Sequence, residues 1–534
     1  MSILADGTSP NMSRRRRQLK PAVRSKGGIA VAQNRLAAEI GAHVLAEGGH
    51  AVDAAVAIGF AVGVLEPWMS GIGGVGAGLV YDAKSGRVDV IDFGGRSPAA
   101  LDPADFPIIA GADRDLFGWP AVKDNRNTVG PRAVVAPTEP AGLALMHRRY
   151  GRLRWRDLLQ PAIRLAEDGP VVDWHTELVI ASALGDLTRD AGSRARFLRG
   201  GVPPQPSAPQ SGGQPVRLPM PDLARTLGAL ATEGAEVLYR GPLGAAIAED
   251  VRAMGGYLST DDLAAVAPRI VDPLVIRYRD HSINVTPELS GGPTLAVAYG
   301  DLVARRAAIG ASPDAAAFSD YAAALRAGWR HRFDVMGDAG ERTAPTSTTH
   351  FAVVDRDGNI VTLTQTLLSI FGARIVLPKT GILMNNGINW FDPRPGGPNS
   401  IAPGRRVLAN YAPAIMAGAQ GVTGIGGCGG RRILPAVFQL LAFQAEYGFD
   451  LDRAFHTPRI DVSGLGPVVA DRRLDGPVID KLGRDFDVVI GEPSVLSNPF
   501  TVASAVARRD GFNEGATEPE HPWSEPVPEY LSDA

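Results

Sequence analysis

From residue 337 to 347 the chain is small and polar, and from Thr348 it turns abruptly into two alternating apolar–polar runs, 350–355 and 359–366. Alternation of period two marks strands with one face buried, and Asp357-Gly358 between the runs is a strong hairpin signal. This junction constrains the fold more than any other feature, because a soluble stretch must pass at once into the protein interior. If the chain breaks before Thr348, that threonine carries a free α-amine. Such an amine titrates near about pH 7.7–8.0, and it belongs to the same residue as the hydroxyl it must activate. That is the arrangement of threonine/N-terminal-amine catalysis.

With Asp357-Gly358 as a two-residue loop, Arg356 opposes Asn359, Thr349 opposes Thr366 and Thr348 opposes Leu367. Thr366 then lies within cross-strand reach of Thr348, where a second hydroxyl would hold the first. Thr362 and Thr364 read simply as β-favouring residues at period two. Further on, Gly427-Cys428-Gly429-Gly430 runs into a helix expected over about 434–447. Backbone N–H groups at such a helix start can converge on an anion, and glycine lets a reacting carbonyl come close.

The rest of the chain supplies a scaffold. A strand over 27–32, helices over 35–47 and 51–65, and strands over 78–81 and 88–92 are expected from periodicity and from the stops at Gly48-Gly49 and Pro67. From 139 to about 325 the pattern is mostly helical, interrupted by an exposed Gly/Pro/Ser/Gln-rich loop over 200–221. Strand-like segments return at 375–377 and 381–384. This order predicts an α+β body built from two chain segments rather than separate beads. Residues 1–26, with the basic run Arg14, Arg15, Arg16 and Arg17, read as a disordered basic tail.

Composition removes several function classes. The 534 residues carry a net charge of −3, with 45% apolar and 21% charged residues, so nothing favours nucleic acid or an anionic membrane as a partner. No run approaches the roughly 18 apolar residues of a membrane span. The single cysteine, Cys428, excludes an intrachain disulfide and fits a reducing compartment. No apolar segment follows the arginines as a secretion signal requires, and a cytoplasmic location is expected. Gly71-x-Gly73-x-x-Gly76 and Gly424-x-Gly426-x-x-Gly429 match the dinucleotide string. The first has a strand after it where a helix is needed, and with 63 glycines such strings arise by chance, so no cofactor is expected. The stretch from Asp355 lacks the acid of a calcium loop at its twelfth position, which is Thr366. The scattered histidines predict no metal site.

Together these residues resemble the γ-glutamyltransferase family of N-terminal-nucleophile hydrolases. The resemblance runs from about 27 to 530 and includes Gly48 to Ala55, Ser70-Gly71-Ile72-Gly73-Gly74, Ser290-Gly291-Gly292, Thr348-Thr349-His350, Asp357-Gly358-Asn359, Asn385-Asn386 and Gly429-Gly430. It implies an αββα sandwich with a large helical portion from the N-terminal segment. It also implies autocatalytic cleavage before Thr348 into a large subunit (27–347 after the tail) and a small one (348–534). These stay together as a heterodimer, or as a dimer of heterodimers. By this resemblance Thr348 is nucleophile and base, Thr366 supports it, and Gly429 and Gly430 donate to the oxyanion.

The departures bear on substrate. Enzymes of the family that act on γ-glutamyl compounds hold the α-amino group with an Asn, a Gln and an Asp, and here those positions are Leu368, Gly387 and Trp390. They hold the α-carboxylate with an Arg and a Ser pair, and here those positions are Gly94, Ala409 and Asn410. An uncharged or purely anionic acyl group is therefore expected, with Arg96, Arg431, Asn386 and Asn410 as candidate contacts, each weighed against a structural role. The chain looks closer to the amidohydrolase and acylase branches, which include enzymes similar to oxamate amidohydrolase and glutaryl-cephalosporin acylases. Asp124 to Gly130 before Ala136-Pro137 points the same way. The expected substrate is a small anionic amide. True γ-glutamyl transfer and a non-catalytic relative remain the competing readings.

Overall fold

The computed structural model describes residues 18–112, 119–207, 213–306, 309–337, 348–492 and 500–530. In chain order, the strands of its two main sheets are β1 (Val23–Ser25), β2 (Ile29–Ala32), β3 (Val75–Tyr81), β4 (Val88–Phe93), β5 (Arg269–Val271), β6 (Leu274–Tyr278), β7 (His281–Val285), β8 (Thr349–Val354), β9 (Ile360–Thr366), β10 (Ala414–Gly418), β11 (Gly421–Cys428), β12 (Val502–Arg509), β13 (Phe512–Thr517) and β14 (Glu525–Pro528). One seven-stranded sheet has the order β14-β2-β8-β9-β3-β4-β5, and the other the order β1-β13-β12-β11-β10-β7-β6. Every neighbouring pair in both is antiparallel. Both sheets interleave strands from before and after Thr348.

Alternation then dictates the layers. The odd residues Phe351, Val353, Val361 and Leu363 join an outer core with helices α1 (Arg35–Ala46), α2 (Ala51–Leu65), α3 (Glu139–Tyr150) and α4 (Trp155–Asp168). The even residues Ala352, Val354 and Ile360 face the second sheet and pack with Ile29, Val31, Leu79, Ile415 and Val506. Helices α5 (Gly292–Arg305), α6 (Ala315–Val335) and α7 (Ile433–Tyr447) cover the far side of that sheet. The result is the expected αββα sandwich within an α+β fold. Helix α2 is buried along its whole length, which is why it is apolar all round. Its one charge, Asp53, caps its own N-terminus and accepts from the backbone N–H of Arg152 and Leu153.

Several expectations need correction. Residues 18–26 are not part of a disordered tail, because β1 pairs with β13 and the Lys20 ammonium donates to Ser524 O at 2.8 Å; residues 1–17 lie outside the described residues. The stretch read as mostly helical contains β5, β6 and β7. The segments at 375–377 and 381–384 form one isolated bridge, Val376 to Leu383, rather than two strands. The glycine-rich run before Gly429 is itself a strand, β11. The hairpin loop spans 356–358, with Asp355 paired to Asn359 and Gly358 at φ 89°. Asp355 Oδ1 accepts from the N–H of Asp357 and of Asn359, which holds the longer turn open. The register therefore shifts by one, and Thr349 opposes Gln365. A one-residue slip moves every side chain to the other face.

Candidate active site

That shift decides the site. In the observed register His350 pairs with Thr364, and one step beyond the Thr349–Gln365 pair Thr348 stands across from Thr366. Both threonines therefore project to the inner face, toward the second sheet, and both are fully buried. The two-residue-loop register would have put them on opposite faces. Thr366 Oγ1 accepts from the N–H of Leu368 at 2.8 Å, where the chain leaves the sheet with Leu368 at φ 86°. Thr348 Oγ1 has no hydrogen-bond partner among the described residues.

The facing strand β11 explains the glycine spacing that resembles a nucleotide motif. A Cβ at Gly424 would lie 2.5 Å from Ile360 Cγ2, and one at Gly426 would lie 2.3 Å from the His350 ring. Glycine in a strand interior weakens it and marks a close approach of another backbone or side chain. Here it lets the two sheets close over His350. The next inward residue, Cys428, brings its sulfur beside the Thr348 N–H. So Thr362 lies by Gly424, His350 by Gly426 and Thr348 by Cys428.

His350 was not singled out by sequence, and Thr362 and Thr364 were read as passive β formers. They form one chain of hydrogen bonds. Thr362 Oγ1 donates to Ile425 O at 3.1 Å, so its 3.2 Å contact with His350 Nε2 must be an N–H that it accepts. His350 Nδ1 then accepts from Thr364 Oγ1 at 2.9 Å. Burial drives the ring pKa down to about 3, so it is neutral and held as one tautomer.

After β11, Gly429 (φ 140°) and Gly430 (φ 70°) adopt conformations that favour glycine and lead through a turn of 3₁₀ helix, Gly430–Arg432, into α7. A Cβ on Gly429 would meet Thr501 Oγ1 at 3.1 Å. The pair thus stands next to Cys428 and, through it, next to Thr348.

The four candidate substrate contacts divide. Asn386 is committed to the chain: its Oδ1 accepts from Ser369 N–H at 3.0 Å, and its Nδ2 donates to Thr128 O at 3.0 Å and Ser369 Oγ at 2.7 Å. It shapes the loop after Thr366. Arg96 is exposed, donates to Gly404 O, and lines a cleft of about 410 Å³ with Asp92, Gly94, Thr138, Arg269 and Arg406. Asn410 is fully buried, and its Oδ1 accepts from Arg332 Nη2 at 2.5 Å while its Nδ2 has no partner among the described residues. Arg431 lies over the rings of Phe333 (5.1 Å) and Trp329 (5.9 Å), with its charge beside that of Arg332.

Arg332 is the residue the sequence reading missed here. It is fully buried on α6 and donates to Ser290 O (2.8 Å), Thr294 Oγ1 (3.2 Å) and Ala409 O (2.9 Å) besides Asn410. Burial and the neighbouring Arg431 lower its pKa to about 9, and burial lowers that of Arg431 to about 10. A signal was available, since Phe318, Ala322, Leu325 and Trp329 form a buried helical stripe that Arg332 continues at the same spacing. By contrast Leu368, Trp390 and Ala409 join one apolar cluster with Val75, the strand partner of Thr366.

The profile of the gamma-glutamyltranspeptidase family matches residues 37–340 and 303–524. The chain belongs to that family. It is an enzyme of the hydrolase and acylase kind found there. Among relatives, the acylase ACY 1 proenzyme of Pseudomonas sp. (strain SE83) is 34% identical over 527 residues, covering 91% of each chain. The glutathione hydrolase proenzyme of Bacillus subtilis (strain 168) is 30% identical over 522 residues, covering 86% of this chain and 84% of that one. The crystal structure of a cephalosporin acylase from Bacillus halodurans superposes with a TM-score of 0.80 over 98% of both chains at 23% identity, a likeness of fold.

Proposed function

We propose that this family member is a proenzyme that cuts itself before Thr348. The new N-terminal threonine then hydrolyses the amide of a small substrate whose acyl part is anionic but not zwitterionic, of the oxamate or glutaryl kind. The carrying observation is the placement of Thr348: buried on the inner face, opposite Thr366, near Cys428 where the chain enters Gly429 and Gly430, with its hydroxyl unpartnered among the described residues. In this reading the α-amine takes the proton of Oγ1 as that oxygen attacks the amide carbon. The N–H groups of Gly429 and Gly430 receive the oxyanion. The ammonium returns its proton to the leaving amine, and water then cleaves the Thr348 ester by the same route.

The acyl preference draws support from charge. A zwitterionic glutamyl head would set its ammonium against Leu368, Gly387 and Trp390, and an ammonium buried without a partner is costly. A carboxylate beside Ala409 and Asn410 would meet the positive potential of Arg332 and Arg431 and the Nδ2 of Asn410, which has no partner among the described residues. The relatives named as acylase proenzymes support the same reading.

The test has two parts. On a denaturing gel the chain should appear as two fragments, with N-terminal sequencing of the smaller starting Thr-Thr-His, and Thr348→Ala should stay full length. The cut protein should release amine from oxamate or glutaryl-p-nitroanilide faster than from γ-glutamyl-p-nitroanilide. The reverse order overturns the acyl assignment.

A further inference from the structure

Gln33 and Cys428 border Thr348 from two directions. One step beyond the Ala32–Phe351 pair, Gln33 opposes His350, so it shares the inner face with Thr348 from the neighbouring strand. Cys428 reaches the same space from the second sheet. Its sulfur lies close to the backbone N–H of Thr348 and to the side-chain amide of Gln33. Gln33 is 2% exposed, and its Oε1 has no hydrogen-bond partner among the described residues. A buried carbonyl left in that state among the described residues is an acceptor available to a new donor.

The count of hydrogens on the Thr348 nitrogen supplies the use. As a peptide nitrogen it has one hydrogen, and the sulfur of Cys428 is the group beside it. As a neutral α-amine it has two hydrogens and a lone pair. We propose that Cys428 Sγ and Gln33 Oε1 together cradle the α-amine of Thr348. One N–H goes to the sulfur. The second, which exists only after the peptide bond is cut, goes to Oε1, and the lone pair is left facing the Thr348 hydroxyl. Both are positioning residues that act through the amine, and neither carries the proton. A thiol suits the task because it is a weak acceptor, and burial pushes its own pKa up to about 12, so it stays neutral. The proposal rests on the reading of Thr348 as an N-terminal nucleophile.

The test uses the full chain and two readouts. Self-cleavage of freshly synthesised chain is followed on a denaturing gel. Acylation of mature protein is followed as the burst of p-nitrophenol from p-nitrophenyl acetate across pH. Gln33→Met should slow the burst about tenfold while slowing self-cleavage no more than about twofold, because misorientation matters only once the amine exists. Its acid limb should move to lower pH, since an ammonium that has lost an acceptor gives up its proton more easily. Cys428→Val keeps the volume without an acceptor and should slow both steps, and Cys428→Ser should recover most of each. A wild-type burst in Gln33→Met, or wild-type rates in Cys428→Val with Cys428→Ser slow, overturns the cradle in favour of packing. Should the Cys428 variants be insoluble, Gln33→Met decides alone. A burst from Thr348→Ala overturns the nucleophile itself. Silence there with unchanged Gln33 and Cys428 variants removes only the cradle.

Discussion

Strands β8 and β9 and the facing strand β11 are filled in two different ways along their length. Toward the hairpin, the space between the sheets holds hydrocarbon from Val31, Leu79, Val354, Ile360 and Val506. Toward Thr348 the same strands carry Thr362, His350, Thr364 and Thr366, and β11 answers with glycine and Cys428. Ordinary burial of apolar area drives the first half together. The second gains little from that effect, and its groups are placed by hydrogen bonds that close on one another. The apolar end acts as a clamp that holds the polar end at fixed separation, so chemistry and stability occupy opposite ends of one pair of strands.

Substitutions at each end should separate these roles. The largest effect is expected from Gly426→Val, where a Cβ already falls 2.3 Å from the His350 ring; soluble, cut protein should disappear from expression gels, since neither paired strand can yield. Leu79→Ala, at the apolar end, should cost about 3 kcal/mol in denaturant unfolding, yet leave the rate of self-cleavage near that of the parent. His350→Gln tests pH. The ring pKa is depressed in the fold to about 3, so its contribution is full above its ordinary value, falls as pH drops below it, and is lost through the folded value. Between pH 7 and pH 5 the parent should lose about 2 kcal/mol that His350→Gln retains, as read from the shift of the urea midpoint. Thr362→Val removes the acceptor for Nε2 and should cost about 1 kcal/mol at neutral pH, the smallest effect, with a modest slowing of cleavage.

Much of this was legible in the sequence because periodicity reports burial. Helix α2 and the strands around Asp357 follow from it almost to the residue. What escaped detection was information held between strands. The register depended on the Asp355 carboxylate inside the turn, and a composition of Asp and Gly cannot show whether the loop has two residues or three. The meaning of Gly424 and Gly426 depended on a histidine in another sheet. Gln33 belongs to a segment remote in sequence from Thr348, so no local pattern connects the two, whereas the stripe on α6 did mark Arg332 as inward. Val275 and its neighbours in β6 escaped because a short, half-exposed strand carries little alternation to read.

Strands β8 and β9 are inserted between β2 and β3, with the junction at Thr348 on one side and the opening third of the chain on the other. In the proposed mature enzyme the two polypeptides are thus woven through each other, and neither can leave without dismantling a sheet. The assembly instructions reside in the continuous precursor, where β8 is tethered to α6. After the cut that tether is gone, and molecules melted apart must find their partners by diffusion in competition with aggregation. Such an enzyme would keep its shape through the slowness of its unfolding rather than through any capacity to form again.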